Sequence, residues 1–175
     1  MQHEKTGKIQ IYTGNGKGKT TAAFGLALRA LGHRRRVCII QFLKGGGHTG
    51  EYIALSERFP ECDLFQYGSA AREMTEAEAQ RAFVEDALAH AERALTSGQY
   101  DLLILDEINV CLGKKQIKTA RVLDLLNRKA AHTEVILTGR TAPPELLARA
   151  DLVTEMLKEK HYYDEGLPAR EGIEF

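Results

Sequence analysis

No stretch of this 175-residue chain stays apolar for the roughly 20 residues that a bilayer-spanning helix requires. The opening run Met1-Gln2-His3-Glu4-Lys5 lacks the apolar segment of a signal peptide. Neither sign of charge is in excess. With 24 Lys and Arg against 24 Asp and Glu, no global field favours nucleic acid or an anionic membrane. Three scattered cysteines, Cys38, Cys62 and Cys111, form no C-x-x-C pair and no disulfide framework. Such a set fits a reducing compartment, so a cytoplasmic location is expected. Cys38 sits inside an apolar run and reads as a small core residue. Repeats, low-complexity segments and linkers are also missing, and the length suits one domain, 1–175, with a full core. The basic run His33-Arg34-Arg35-Arg36 follows Gly32, a candidate helix C-cap. It reads as a solvated turn that complements the helix dipole.

What the chain does have is a glycine–lysine loop. Ile9-Gln10-Ile11-Tyr12 reads as a short strand, and a helix is predicted from Lys19 to Leu31. Between them lies Thr13-Gly14-Asn15-Gly16-Lys17-Gly18-Lys19-Thr20-Thr21. Glycines let backbone N–H groups turn inward around an anion, Lys19 adds a full positive charge, and the helix start adds a partial one. Thr20 supplies the hydroxyl that such loops place on Mg²⁺. A polyphosphate is the expected guest. The usual spacing, G-x-x-x-x-G-K-[ST], puts its first glycine where this chain has Thr13, so a tighter or differently bent loop is expected. A dinucleotide fingerprint fits worse: its third glycine falls on Lys19, and no acid stands at the second strand's end.

Strand and helix patterns alternate along the rest. Arg36–Leu43 is a continuous apolar run, as in a strand buried on both faces. A short helix is predicted over about 50–58 and a strand over Asp63–Gln66. A capping box, Thr75-Glu76-Ala77-Glu78, opens a helix that stops at Gly98. Phe83, Val84, Ala87, Leu88, Ala91, Ala94 and Leu95 share one face of it and read as core. Further elements are predicted as a strand over Asp101–Asp106, a helix over Thr119–Ala130 and a strand over Glu134–Thr138. Pro143-Pro144 begins a short helix, and Leu152–Leu157 closes the sheet. This βα alternation predicts an α/β fold: a three-layer, mostly parallel sheet of about six strands with helices on both faces.

Four apolar residues followed by Asp106-Glu107 place a carboxylate at the carboxyl edge of the sheet, beside the phosphate loop. There it holds Mg²⁺ directly or through water, and the spacing leaves open which acid does so. Lys17 is either a second phosphate contact or a solvent-facing lysine. Arg140, just past another strand, meets either triphosphate, a carboxylated second substrate or a salt-bridge partner at the next helix start. Gln41 and Lys44 end the second strand on the same rim. His161 lies in the polar tail.

In order, Gly14–Gly25, Gln41-Phe42-Leu43-Lys44-Gly45, Leu105-Asp106-Glu107-Ile108-Asn109 and Leu137-Thr138-Gly139-Arg140 resemble one family. Ala150–Met156, Lys160-His161 and Ala169–Glu174 complete the pattern. It is that of the P-loop ATP:corrinoid adenosyltransferases, which act on cobalamin or cobyrinic acid diamide. The resemblance implies a RecA-like fold, a homodimer and a reaction in which ATP gives its 5′-deoxyadenosyl group to Co(I) of a reduced corrinoid. Triphosphate leaves, and ATP lies reversed along the loop. A flavoprotein electron donor is implied as partner. Catalytic roles then fall to Lys19, Glu107 and Arg140. Nucleotide and corrinoid contacts fall to Gly14, Asn15, Gly16, Lys17, Gly18, Lys19, Thr20, Thr21, Lys44, Asn109 and His161. Mg²⁺ falls to Thr20, Asp106 and Glu107. One departure stands out. Many members carry a Phe-x-Trp pair after the third strand, held to displace the lower cobalt ligand. Here the segment Gln66–Met74 offers only Tyr67 and Met74, and the chain has no tryptophan. The family's N-terminal extension is nearly absent, so a reduced cap over the site is expected.

Overall fold

Every residue of β2 (Val37–Phe42) is buried, because helices cover both faces of the strand. The computed structural model describes residues 6–45, 49–68 and 76–175. In chain order its elements are β1 (Ile9–Thr13), α1 (Lys19–Gly32), β2, α2 (Gly50–Arg58), β3 (Cys62–Tyr67) and α3 (Glu76–Ser97). Then follow β4 (Leu102–Asp106), α4 (Ile108–Gly113), α5 (Thr119–Asn127), β5 (Glu134–Thr138), α6 (Pro144–Arg149) and β6 (Leu152–Glu155). A 3₁₀ turn lies at Tyr162–Glu165. The strands form one six-stranded sheet in the order β3-β2-β4-β5-β1-β6, parallel at each pairing.

Alternation along each strand sorts the core into two layers. Ile9, Ile11, Cys38, Ile40, Leu103, Leu105, Val135 and Leu137 face α3, α4, α5 and α6. Val37, Ile39, Leu102, Ile104 and Ile136 face α1 and α2. The three-layer α/β expectation holds. Burial pushes the thiols of Cys38 and Cys111 up to about 12 and that of Cys62 up to about 11. These are inert core residues rather than reactive ones.

Several boundaries shift. The capping box falls partly on Thr75, outside the described residues, as does most of the Gly68–Met74 segment; the Gly45–His48 loop is described only at Gly45. Gly32 is the last helical residue rather than the cap; the chain leaves α1 through His33 and a left-handed Arg34 at φ 55°. The following arginines are latched rather than merely solvated: Arg35 pairs with Asp101 at 3.1 Å and Arg36 with Asp63 at 3.2 Å. The helix predicted to Ala130 stops at Asn127, and the last strand stops at Glu155. Two short elements, α4 and the 3₁₀ turn, were not foreseen. β6 is an edge strand, exposed at all of its residues.

Candidate functional site

Ligands of open α/β sheets gather beyond the carboxyl ends of the strands, and here that edge opens into a cleft of about 1380 Å³. A single small-molecule site usually occupies about 300–1,000 Å³, so this one is roomy enough for two substrates. Three non-glycine residues with left-handed backbone mark the strand exits that form it: Leu43 after β2, Glu107 after β4 and Thr141 beyond β5, at φ 58°, 65° and 62°. Each costs on the order of 1–2 kcal/mol. Such sharp turns point Lys44, Glu107 and Arg140 into the cleft.

The glycine–lysine loop lines its floor. Gly14 and Gly18 take φ 93° and 116°, the conformations that glycine tolerates best. The Gly16 N–H donates to the Met156 carbonyl at 2.7 Å, which ties the loop to the chain after β6. Among the described residues, the amides of Lys17, Gly18, Lys19, Thr20 and Thr21 meet no hydrogen-bond acceptor. They make a row of free donors at the start of α1, the arrangement that captures an anion. A Cβ on Gly16 would sit 2.7 Å from the Leu157 carbonyl oxygen and 2.8 Å from that of Met156. Both obstacles are backbone. Gly16→Ala is therefore expected to cost about 1–3 kcal/mol of stability and to weaken ATP binding. Thermal unfolding with and without ATP checks both; an unchanged melting temperature and ATP shift would show that the loop gives way freely.

Lys19 is 8 % exposed, and its ammonium donates to the Gly16 carbonyl at 2.6 Å. Burial pushes its pKa below that of an ordinary lysine; Glu107 opposes the shift and the Arg140 charge adds to it. This cation is poorly compensated and receptive to an anion. Glu107 shows the converse. Burial and the Asp106 charge raise its pKa, while Lys44, Lys19 and Arg140 counter them.

Asp106 is fully buried. One carboxylate oxygen accepts from the Thr138 hydroxyl at 2.6 Å and the Thr20 hydroxyl at 2.9 Å; the other accepts from Gln41 at 2.8 Å and Lys44 at 2.9 Å. Burial pushes its pKa up, but the Lys44 charge and these hydrogen bonds outweigh that and hold it below the ordinary carboxylate value. Strand register builds the row. Gln41 stands opposite Gln66 on β3 and Asp106 on β4, and Gln66 donates to the Gln41 side chain at 2.9 Å.

Thr20 and Glu107 line the cleft and offer only oxygen donors, which suit a hard cation such as Mg²⁺ rather than zinc, while Asp106, buried and already accepting from four donors, holds the Thr20 hydroxyl. No group of three or more His, Cys, Asp or Glu fit to hold a metal exists among the described residues. A cation here must take its remaining ligands from phosphate and water, which is the usual habit of Mg²⁺. The residues fit that ion.

Asn15, Lys17, Gly18, Thr21 and His161 line the same cleft as Lys19, Thr20, Lys44, Glu107 and Arg140. Lys17 points at the C-terminal tail, donating to Glu174 and the Tyr162 hydroxyl, both at 2.7 Å. Asn15 accepts from the Lys158 N–H at 3.0 Å. His161 accepts from the Tyr163 N–H at 3.1 Å. Gly14 and Asn109 lie off the cleft. Gly14 packs on the Met156 backbone, and Asn109 is fully buried, its amide 3.4 Å from the Leu137 and Gly139 carbonyls. Tyr67 turns towards α3, hydrogen-bonded to His90 at 2.8 Å. Sequence reasoning missed Thr138, Gln66 and the tail residues Tyr162, Ile173, Glu174 and Phe175. The quoted tail motif Ala169–Glu174 contains Ile173 and Glu174 and was the one signal pointing to them.

Residues 5–175 match the family described as ATP:corrinoid adenosyltransferase BtuR/CobO/CobP. The corrinoid adenosyltransferase of Pseudomonas aeruginosa is 37 % identical over 174 residues, covering 98 % of this chain and 85 % of its own. Corrinoid adenosyltransferase CobA of Salmonella typhimurium is 37 % identical over 172 residues, covering 98 % and 87 %. An uncharacterised protein of Nostoc, all2391, is 34 % identical over 185 residues, covering 95 % of this chain and 48 % of its own. With its phosphate loop, acid row and strand order on one sheet edge, the chain belongs to the ATP:corrinoid adenosyltransferase family.

Proposed function

We propose that this chain transfers the 5′-deoxyadenosyl group of ATP to the Co(I) centre of a reduced corrinoid and releases triphosphate. The observation that carries this reading is Lys19. A buried, undercompensated ammonium lies beside a row of free amides, in a chain whose family acts on ATP and corrinoids. Cobalt(I) supplies the electron pair that forms the Co–C bond. The bond from C5′ to the triphosphate oxygen breaks, and triphosphate leaves with the two electrons of that broken C–O bond. No protein nucleophile is required, because the corrinoid brings the difficult chemistry. The protein's task is to grip the leaving group and stabilise its growing charge while C5′ stays open to attack. Lys19 and the loop amides serve that end, and Arg140 and Lys44 add charge from the exits of β5 and β2. Thr20 and Glu107 would hold Mg²⁺, with Asp106 steadying Thr20, and the ion would supply neutralisation of phosphate charge.

The remainder of the proposal is a single nucleotide-binding domain that works as a homodimer in the cytoplasm and receives its electron from a flavoprotein. No described helix is long and apolar enough to cross a membrane. The deciding experiment is anaerobic. ATP, magnesium and chemically reduced corrinoid are mixed with the protein, and the Co–C product and triphosphate are followed together. Equal amounts of both are expected. ADP and phosphate without a Co–C bond would replace this reading with γ-phosphate transfer.

A further inference from the structure

Chain ends fray unless something ties them down, and the C-terminus here is tied to the phosphate loop. Glu174, the penultimate residue, is only 15 % exposed at its side chain. Its carboxylate accepts from Lys17 at 2.7 Å, from the Arg170 N–H at 2.8 Å, from the Arg170 guanidinium at 3.2 Å and from the Tyr162 hydroxyl. Lys17 donates further to the Tyr162 hydroxyl and to the Ile173 carbonyl, at 2.7 and 3.3 Å. Arg170 and Lys17 also stand 5.1 and 5.4 Å from the centre of the Tyr162 ring, within cation–π range. These are charge-assisted bonds, the stronger kind.

The knot has a consequence for the cleft. Tyr163, Ile173 and Phe175 line it while remaining 71, 58 and 45 % exposed. Large apolar side chains left open around a cavity mark a binding surface. Polyphosphate complements the charged floor of Lys19, Lys44 and Arg140, but it gives an apolar lip nothing. The lip suits the broad, largely apolar face of a macrocycle. We propose that Glu174 is a positioning residue: through Lys17 and Tyr162 it fastens residues 162–175 onto the phosphate loop, holding Tyr163, Ile173 and Phe175 as the wall against which the corrin ring rests. This inference rests on the adenosyltransferase reading above.

The test uses the full chain with Glu174→Gln, which keeps the side chain's size and removes its charge. Amide hydrogen exchange of residues 162–175 is measured without substrates, and kinetics with magnesium–ATP and reduced corrinoid. Faster exchange of the tail is expected, with the KM for corrinoid raised about tenfold, as for one lost charge-assisted bond. At saturating corrinoid kcat should hold within about threefold, as should the Kd for ATP. Phe175→Ala should raise the same KM without loosening the tail. Tyr162→Phe combined with Glu174→Gln should be less than additive, since both cut one knot. Unchanged exchange would show that Glu174 fastens nothing. A loosened tail with an unmoved corrinoid KM, or a weakened ATP Kd in its place, would overturn the corrin wall. A wild-type chain that adenosylates no corrinoid removes the functional reading and the wall with it, leaving exchange to decide the fastening.

Discussion

Lys19→Met is expected to abolish adenosylation, by about 10³-fold or more, while leaving the protein at least as stable as wild type. The two halves share one cause. The ammonium is 8 % exposed, and a carbonyl at 2.6 Å is a weak substitute for lost water. Its lowered pKa means that the folded chain holds this charge less comfortably than the unfolded chain does. The sign follows. The destabilisation is fully present below the lowered folded value and disappears as pH rises towards the ordinary lysine value of about 10.4. A methionine of similar length fills the space and removes the unfavourable charge at neutral pH. The same change removes the group that the proposed reaction sets against leaving triphosphate, and losing one such preorganised donor costs about 10²–10³ in rate even when the donor is neutral. Thermal unfolding and single-turnover adenosylation, run side by side, check this. A variant that keeps wild-type turnover would remove Lys19 from the chemistry; one that unfolds far below wild type would show the charge to be well compensated.

Asp106→Ala should do the opposite to stability. Removing the carboxylate strands the Gln41 amide, the Thr138 hydroxyl and the Lys44 ammonium, all of which now donate to it. Breaking a buried pair by deleting one partner costs about 3–5 kcal/mol. Lys44 is 30 % exposed at its side chain and can turn to water, so the low end of that range, about 3 kcal/mol, is the expected loss. Asp106→Asn keeps one acceptor oxygen for one pair of these donors and should cost less, although its NH2 faces the other pair. Activity should fall in both, because Thr20 is held by the same oxygen at 2.9 Å. Because the Asp106 pKa is depressed, its contribution is present above the unfolded value of about 3.9 and is lost as pH falls through the folded value. Neutral-pH activity therefore does not depend on its titration. Urea unfolding of both variants decides; equal stability of Asp106→Ala and wild type would mean that the row is not a structural unit.

Local chemistry made much of this legible. Lys17-Gly18-Lys19-Thr20 after Ile9–Tyr12 announced an anion cradle because loop, charge and helix start are contiguous in the chain. The strands Leu102–Asp106 and Glu134–Thr138 could be read because burial on both faces demands unbroken apolar runs. Helix α4 was not legible: six residues give too little periodicity, and it begins after a left-handed Glu107 that no propensity favours. Tyr67, named as a wedge candidate, turned out to face α3 and His90, since strand alternation sends it to the opposite side from Gln66 and Gly68.

The sequence by itself determined which groups are present: a glycine–lysine loop at a helix start, an acid pair at a strand end, and an α/β sheet to carry them. These depend on neighbours in the chain. Only the tertiary structure decided how those groups are disposed. Asp106 is buried beneath four donors drawn from α1, β2, the β2 exit and β5, while Glu107 opens to the cleft. Lys17 answers to Glu174, 157 residues away. Such partners are chosen by strand order and register, which bring distant residues within 3 Å, and no local pattern encodes a meeting made across the sheet.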